Sequence, residues 1–321
     1  MHMKKMKNNM YKIFFAIICT AVLAGAGCAE YPNVTRESKI PDNAVKMTPA
    51  LDGLPPIMHS SEWETPVPME GPINSAGGED SGFYAIDRNE FYFFFTPDVS
   101  VPVEQQILDD VTGLYVSKNI DGKWQEPERV WLQKPGKLAG DGCEYVRGNT
   151  MWFCSVREGF TGVNLFTAEF KNNQWKNWRV VEDKLRDWEV GEMHITSDEK
   201  ELYFHSPRPG GKGEFDIWVM ENVDNEWQEP EHIEIVNSET TDGWPYVTED
   251  KSELWFTRTY RGSPAIYRSK NIDGEWQSPE LIISQFAGES SMDSEGNIYF
   301  THHFYNTEGM IEADIYVAKK K

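Results

Sequence analysis

The sequence predicts an all-β fold, a five-bladed β-propeller made of four-stranded antiparallel blades. Two observations carry the prediction: three strand-like elements recur in the same order five times, and the copies are about 50 residues apart, a spacing typical of propeller repeats. Gly, Pro, Asn and Asp separate the elements at short intervals, as in all-β sandwiches, barrels and propellers. The repeat favours the propeller among these architectures, because each blade of a propeller holds one such unit.

The second strand of each copy is marked by two adjacent aromatic residues, at Tyr92-Phe93, Trp152-Phe153, Tyr203-Phe204, Trp255-Phe256 and Tyr299-Phe300. The third strand contains a shorter apolar pair, at Leu114-Tyr115, Leu165-Phe166, Ile217-Trp218, Ile266-Tyr267 and Ile315-Tyr316. A Trp-x-x-Pro element then begins at Trp124, Trp227 and Trp276, and a degenerate copy begins at Trp175. Each of these side chains has a mechanical role, since the Trp supplies apolar area and the Pro suits an outermost strand.

The two ends of the repeat array are complementary. The last copy stops after Tyr316-Val317 without its Trp-x-x-Pro element, and a spare element at Trp63–Pro66 precedes the first copy. We therefore expect the N-terminal strand to complete the last blade, which would remove an open sheet edge. Deletion of residues 60–70 should then destabilise the whole ring.

The N-terminus has the pattern of an export signal. Four lysines precede the apolar run 13–27, which ends in small residues before Cys28, as in a secretory signal peptide. Gly25-Ala26-Gly27-Cys28 resembles a lipobox, which implies lipidation at Cys28. The predicted organisation is a signal peptide over 1–28, a flexible proline-containing tether over 29–57 and the propeller over 58–321. The protein is accordingly expected to be exported and anchored outside the cytoplasmic membrane, in the periplasm or on the cell surface.

The charge excludes one class of partner. The chain has 31 basic and 52 acidic residues and a formal net charge of −21. Such a surface repels phosphate backbones, so no nucleic-acid partner is expected.

The repeats resemble the WD40-like propeller repeats of the TolB type, which occur in many cell-envelope proteins. The matching residues are Asp242-Gly243-Trp244-Pro245, Glu249-Asp250, the run 202–213, Asp216-Ile217-Trp218 and the run 274–279. The resemblance covers about residues 60–321. It implies the propeller fold and a place in the cell envelope, and it leaves the activity open because many functions share this fold.

Two cysteines of the propeller lie in one predicted hairpin. Symmetric pairing around its turn sets Cys143 opposite Cys154, where Cβ atoms are about 4.5–5.5 Å apart. A disulfide needs a slightly smaller distance, and export favours its formation. The alternatives are a cross-strand disulfide and two buried thiols.

The candidate binding residues come from aligning the first strands, which line the channel in a propeller. The alignment places carboxylates near the axis or its rim, with a histidine and an arginine nearby: Asp80, Asp141, Glu144, Glu192, His194, Arg208, Asp242 and Glu289. A ring of carboxylates suits a cation, a basic peptide or a polyol. It also suits a glycosidase, which needs two carboxyl groups about 5–9.5 Å apart, and the catalytic candidates are then Glu144, Glu192 and Asp242.

The sequence favours a binding module over an enzyme. Motifs of serine hydrolases, zinc proteases, P-loop proteins and dithiol oxidoreductases are absent from the sequence, and neither a metal nor a cofactor is expected. His302-His303 is a poor chelate, because adjacent strand residues point to opposite faces. The prediction is a monomeric module that binds an envelope protein or a glycan at the channel mouth and reaches the membrane only through its lipid anchor. The alternative is a carbohydrate-active enzyme that uses the channel carboxylates, since five-bladed rings also carry arabinanase-like glycoside hydrolases.

Overall fold

The structure is a computed structural model that describes residues 34–160, 162–181, 185 and 188–321. The predicted signal peptide and Cys28 lie outside the described residues. Within the described part, the chain is all-β, with only three short 3-10 helices, at Arg36–Lys39, Ile86–Arg88 and Val103–Gln105. In that part no helix is long and apolar enough to cross a bilayer.

The predicted repeats fold as successive antiparallel meanders, with four principal strands in each of meanders 1 to 4 and three in meander 5. Meander 1 contains β3 (Gly78–Ala85), β4 (Glu90–Thr96), β5 (Gly113–Ile120) and the outer β7 (Glu128–Arg129). Meander 2 contains β8 (Gly142–Arg147), β9 (Thr150–Ser155), β10 (Asn164–Phe170) and β11 (Trp175–Val180). Meander 3 contains β12 (Met193–Ile195), β13 (Glu201–Ser206), β14 (Asp216–Val223) and β16 (Glu231–His232).

Meanders 4 and 5 follow the same order. Meander 4 contains β17 (Asp242–Val247), β18 (Glu253–Tyr260), β19 (Ser263–Ile272) and β21 (Glu280–Ser284). Meander 5 contains β22 (Ala287–Met292), β23 (Ile298–Tyr305) and β24 (Met310–Ala318). The tryptophans of the Trp-x-x-Pro elements sit in two-residue strands, β6 (Lys123–Trp124), β15 (Glu226–Trp227) and β20 (Glu275–Trp276), which pair back onto the third strands.

The outer strand of meander 5 comes from the N-terminal side of the chain. Strand β2 (Val67–Pro68) pairs antiparallel with Val317 and Tyr316 of β24, and Trp63 forms an isolated bridge with Lys320. A further strand, β1 (Ile57–Met58), pairs with the outer edge of meander 4. The N-terminal segment therefore pairs with the last strand of meander 5.

The hydrophobic core is divided into clusters that lie between neighbouring meanders. Trp152 and Phe204 belong to the cluster between meanders 2 and 3, and Trp255 and Phe300 to the cluster between meanders 4 and 5. The other clusters of the described residues lie between meanders 1 and 2, 5 and 1, and 3 and 4. The aromatic pairs of the second strands supply most of this packing, since each large ring buries about 150–250 Å². The meanders thus stand around a common centre in a propeller-like architecture.

The predicted tether is described over residues 34–57, and this part forms hydrogen bonds and ion pairs with the sheets. The Arg36 side chain is buried and donates to Glu79 over 2.9 Å, and Lys46 forms ion pairs with Glu312 and Asp314. Further along, Asp52 contacts the buried ring of His302 at 2.9 Å. Composition alone predicted a tether because prolines break periodicity; the buried carboxylates that hold the segment lie far away in the sequence.

Candidate functional site

Residues from the first-strand regions of all five meanders line one inner cavity, and we call the space between these strands the channel. Most of the first strands contain a β-bulge. The pairing register shifts after Asp80, Gly142, Gly243 and Gly288 in meanders 1, 2, 4 and 5. β-Bulges leave an extra residue and re-aim its side chain, and they are common beside functional sites.

The bulge residues have left-handed backbones although none of them is glycine. Ser81, Cys143, Trp244 and Glu289 have φ angles of 51°, 56°, 53° and 56°, which is rare for residues with a side chain. Glu192 occupies the corresponding place in meander 3, two residues before the strand position that faces Tyr203. We call these five residues, Ser81, Cys143, Glu192, Trp244 and Glu289, the bulge ring.

The bulge ring is the floor of a cavity of about 720 Å³ at one mouth of the channel. Asp80 and Glu104 add two further carboxyl groups to its lining, and the described lining residues include no lysine or arginine. The rest of the wall is largely apolar and comes from four places: Phe94 in meander 1, the loop 99–107, Val156 and Val163 in meander 2, and Met310 in meander 5. This volume is in the range of small-molecule sites.

Glu192 and Glu289 are joined by a shared hydrogen-bond donor. The Ser81 hydroxyl lies 2.9 Å from Oε2 of Glu289 and 3.4 Å from Oε1 of Glu192. The two carboxylate oxygens are therefore no more than 6.3 Å apart, the sum of these distances. The Ser81 backbone N–H also donates to Glu289 over 2.8 Å, so the position of Glu289 is fixed by its neighbour in meander 1.

Burial and mutual repulsion favour the protonated forms of several carboxyls in the channel. Desolvation, followed by the charge of Glu289, raises the pKa of Glu192 to about 8. Desolvation and then the charges of Glu289, Glu192 and Glu144 raise the pKa of Asp80 well above its ordinary value. Removing a carboxylate from water and placing another beside it both disfavour ionisation. These groups can accordingly donate hydrogen bonds near neutral pH or bind a cation by losing a proton.

Glu144 faces an inner cavity of about 50 Å³ that adjoins the bulge ring. The residue is 5% exposed, and neither carboxyl oxygen has a hydrogen-bond partner on another described residue. Burial raises the pKa of Glu144 well above its ordinary value, because desolvation disfavours the ionised form. The hydroxyl of Ser290, which lines the same cavity, also lacks a partner among the described residues.

Two predicted binding carboxylates lie outside this site and are held by arginines. Asp242 contacts Nε of Arg258 at 2.5 Å and accepts from Ser238, while Asp141 pairs with the buried Arg157 at 2.6 Å. Both aspartates are fully buried at the start of a first strand or just before it. Their position is equivalent in meanders 2 and 4, which indicates a structural role.

The predicted binding residues His194 and Arg208 contact aromatic rings of the fold, and His194 also contacts the backbone. The His194 ring stacks on Tyr246 with centroids 4.6 Å apart, and its Nδ1 accepts the backbone N–H of Val247 over 2.7 Å. Burial lowers the pKa of His194 to about 3, so the ring is neutral at ordinary pH. Arg208 lies over the Trp218 ring, 5.2 Å from its centroid, and does not line the channel-mouth cavity.

The cysteine pairing differs from the prediction by one residue. Gly142, not Cys143, is the partner of Cys154, because the bulge inserts an extra residue into the first strand. Both cysteines are free thiols in this structure, so the predicted disulfide is absent from it. Cys154, burial and Glu192 raise the pKa of the Cys143 thiol well above its ordinary value, and Cys143 lines the channel-mouth cavity.

Sequence reasoning found Glu192 and Glu289 but missed the other members of the bulge ring. A signal for them is present: a glycine directly precedes the ring residue at Gly142, Gly191, Gly243 and Gly288. At Gly243 a Cβ atom would lie 2.8 Å from the His205 ring of the neighbouring meander, and at Gly191 it would collide with the same ring. The exception is meander 1, where Asp80 takes the glycine place and adds a carboxyl group.

No family model and no curated protein matches the chain. Among solved structures, an endo-arabinase from Bacteroides thetaiotaomicron VPI-5482 is 14% identical, with 78% of this chain and 96% of that chain covered and a TM-score of 0.49. TolB from Acinetobacter baumannii is 10% identical, with 77% and 55% covered and a TM-score of 0.43. The gluconolactonase XC5397 from Xanthomonas campestris is 10% identical, with 83% and 95% covered and a TM-score of 0.45. Likenesses at this level assign no activity.

Proposed function

We propose that the chain is a five-bladed propeller, closed by its N-terminal strand, that binds a small ligand in the channel-mouth cavity. Two observations support the ring. The core clusters link the meanders in the order 1, 2, 3, 4, 5 and back to 1, and β2 provides the outer strand of meander 5. In this proposal the meanders are the blades, and the domain spans about residues 58–321 with the fastened segment 34–57 against it.

The observation that carries the binding function is the state of the carboxyls in the bulge ring. Glu192 and Glu289 form no ion pair with any described lysine or arginine, whereas Asp141 and Asp242 are each neutralised by an arginine. Buried or half-buried carboxyls without a cationic partner are costly to the fold. A protein that retains them in an open cavity of about 720 Å³ uses them for a ligand.

Export and lipid anchoring are part of the proposal and rest on the N-terminal sequence pattern. They place the ligand or the partner group outside the cytoplasmic membrane. Intact-mass analysis of the protein purified from membranes tests this point. We expect a mature chain that begins at Cys28 and carries lipid; an unprocessed N-terminus would contradict it.

Glycan hydrolysis is the second candidate function, and one observation favours it. The Glu192 and Glu289 oxygens lie within 6.3 Å, close to the carboxyl spacing of about 5–5.5 Å in retaining glycosidases. A carboxyl with a raised pKa beside another one is also the arrangement of a general acid and its partner.

One experiment separates the two functions. Wild type, Glu192→Gln and the exposed control Glu229→Gln are assayed for turnover on a glycan panel and for ligand-dependent thermal shifts on a panel of small molecules. The binding proposal predicts no turnover, and thermal shifts that Glu192→Gln removes while Glu229→Gln keeps them. Turnover in the wild type that is lost in Glu192→Gln would establish the hydrolase instead.

A further inference from the structure

We propose that the channel-mouth cavity takes an organic cation, an ammonium head group on an apolar body, with the head against Glu192, Glu289 and Trp244. This inference rests on the proposed binding function and deepens it by naming the ligand class. The apolar body would lie along the loop 99–107.

The charge of the cavity favours a cation. Four carboxyl groups line it, at Asp80, Glu104, Glu192 and Glu289, and His303 is the one basic side chain among its described lining residues. The ring of Trp244 stands among these carboxyls. A carboxylate beside an aromatic face is the arrangement that holds alkylammonium groups, because the ring face is electronegative. An anionic ligand would be repelled by every carboxyl of the lining that is ionised.

The inner end of the cavity contains polar groups that have no hydrogen-bond partner among the described residues. The Glu144 carboxyl is 95% buried, and the Ser290 hydroxyl is nearly as deeply buried. Both line the inner cavity that shares Glu192, Glu289 and Trp244 with the channel mouth. Buried polar atoms without partners are rare in folded proteins and need an explanation. A hydrogen-bond donor that reaches past the bulge ring, such as an N⁺–H group or a water bound to it, satisfies them.

One wall of the cavity is apolar and is formed by a long loop. The connection between β4 and β5 runs over residues 97–112 and is much longer than the corresponding connections at 207–215 and 261–262. It places Val99, Val101 and Ile107 in the cavity lining. The buried Gln106 side chain donates to the carbonyls of Asp98 and Val101, each over 2.8 Å, so the loop is held in place before a ligand arrives. A purely polar ligand would leave this surface without a partner.

Binding of an ammonium ion should be coupled to the release of a proton from Glu192, which distinguishes it from the binding of a neutral ligand. The groups that face Glu192 are the carboxyls of Asp80, Glu144 and Glu289 and the thiol of Cys143. Because the pKa of Glu192 is about 8 in the empty site, an ammonium ion that favours the ionised form expels a proton below that pH. Affinity should therefore rise with pH up to about 8 and become level above it. A neutral polyol would show no such rise.

The test is isothermal titration calorimetry of the mature chain with n-hexylammonium, 1-hexanol and hexanoate, which share one apolar body. Titration in buffers of different ionisation enthalpy at pH 6.5 measures the protons released. We expect binding of hexylammonium with proton release, at least about tenfold weaker binding of hexanol, and none of hexanoate. A lysine blocked at both its N- and C-terminus is titrated as well. If it binds as tightly as hexylammonium, the ammonium group of the ligand comes from a side chain of a basic peptide.

Matched variants locate the site. Glu192→Gln and Glu289→Gln should each weaken hexylammonium binding about tenfold or more, Val101→Ser should weaken it through the apolar body, and Glu229→Gln should leave it unchanged. Circular dichroism confirms that each variant is folded. Equal binding of hexanol and hexylammonium, or binding unaffected by both carboxyl variants, would overturn the cation. Specific binding of a glycan in the same cavity would also overturn it while leaving the binding function intact, and no Glu192-dependent ligand in any panel would overturn both.

Discussion

At the scale of single residues, the channel contains two kinds of acidic side chain that look alike in the sequence. Asp141 and Asp242 are ion-paired at the start of their meanders, and their arginines compensate for the loss of water. Glu192 and Glu289 have no lysine or arginine partner among the described residues, and their neighbours are other carboxyls, the Ser81 hydroxyl and backbone N–H, and a thiol. The first kind stabilises the fold, and the second kind is available to a ligand.

The raised pKa of Glu192 predicts a pH-dependent stability. An acid whose pKa is higher in the folded state than in the unfolded one binds more protons when folded. Its ionisation is therefore unfavourable to folding, absent below about pH 4.5 and growing as the pH rises to about 8. Glu192→Gln removes this contribution, so the variant should gain stability relative to wild type between pH 5 and pH 8.5. Urea unfolding at both pH values measures it, and an unchanged difference would contradict it; Glu229→Gln is the control.

The Arg157–Asp141 pair predicts a large loss of stability without a loss of binding. Arg157→Ala leaves a buried carboxylate without its partner, which costs about 3–5 kcal/mol. Lys137→Ala, which breaks the exposed ion pair with Glu158 nearby, should cost less than about 1 kcal/mol. Denaturant unfolding gives both values. Equal effects, or a specific loss of ligand affinity in Asp141→Asn, would show that Asp141 belongs to the site.

At the scale of elements, two segments without any repeat pattern shape the molecule. The segment 34–58 crosses the surface and is fastened by Arg36, Lys46 and Asp52. The loop 97–112 walls the cavity. Neither segment contains the aromatic pairs that mark the repeats.

The ion pairs of Lys46 should contribute strongly to holding the segment 34–58 against the sheets. It forms ion pairs with Glu312 and Asp314, whose side chains are almost fully buried, and is itself 38% exposed. Lys46→Ala should therefore destabilise the protein by about 3 kcal/mol, the low end for a broken buried pair. The exposed Lys39→Ala should have little effect. Limited proteolysis should also cut the segment 34–58 faster in Lys46→Ala; unchanged stability and cleavage would mean that the segment is held by other contacts.

The strands were predictable from the sequence, and much of the site was not. Aromatic pairs such as Tyr203-Phe204 mark core strands because they fill the space between meanders, so their recurrence located β4, β9, β13, β18 and β23. Aligning the first strands also found Glu192 and Glu289. The bulges displace the register by one residue, which moved Cys143 away from Cys154, and the arginines that neutralise Asp141 and Asp242 are selected by tertiary packing. The wall loop 97–112 has no periodicity to detect.

At the scale of the whole molecule, the proposed ring makes the two ends of the chain interdependent. Trp63 is 1% exposed and stands edge-on to Trp255, with ring centroids 5.4 Å apart. It also lies in the cluster between meanders 4 and 5. An N-terminal residue thus stabilises the packing of the C-terminal meanders.

Trp63→Ala should destabilise the entire ring by about 3–5 kcal/mol, the usual cost of removing a buried aromatic side chain. Because the ring is proposed to unfold as a unit, calorimetry should show one transition at a lower temperature. The half-exposed Trp188→Ala is the control and should change little. Two separate transitions in Trp63→Ala would indicate that the ends of the array unfold independently and that the ring is not closed.

The most direct test of the central claim is a crystal structure of the protein soaked with n-hexylammonium. We expect five blades around one channel and electron density for the amine within hydrogen-bonding distance of Glu192 and Glu289, with its chain along Val101 and Ile107. Density elsewhere on the molecule, or a channel mouth in which arginine or lysine side chains already neutralise these two carboxyls, would contradict it.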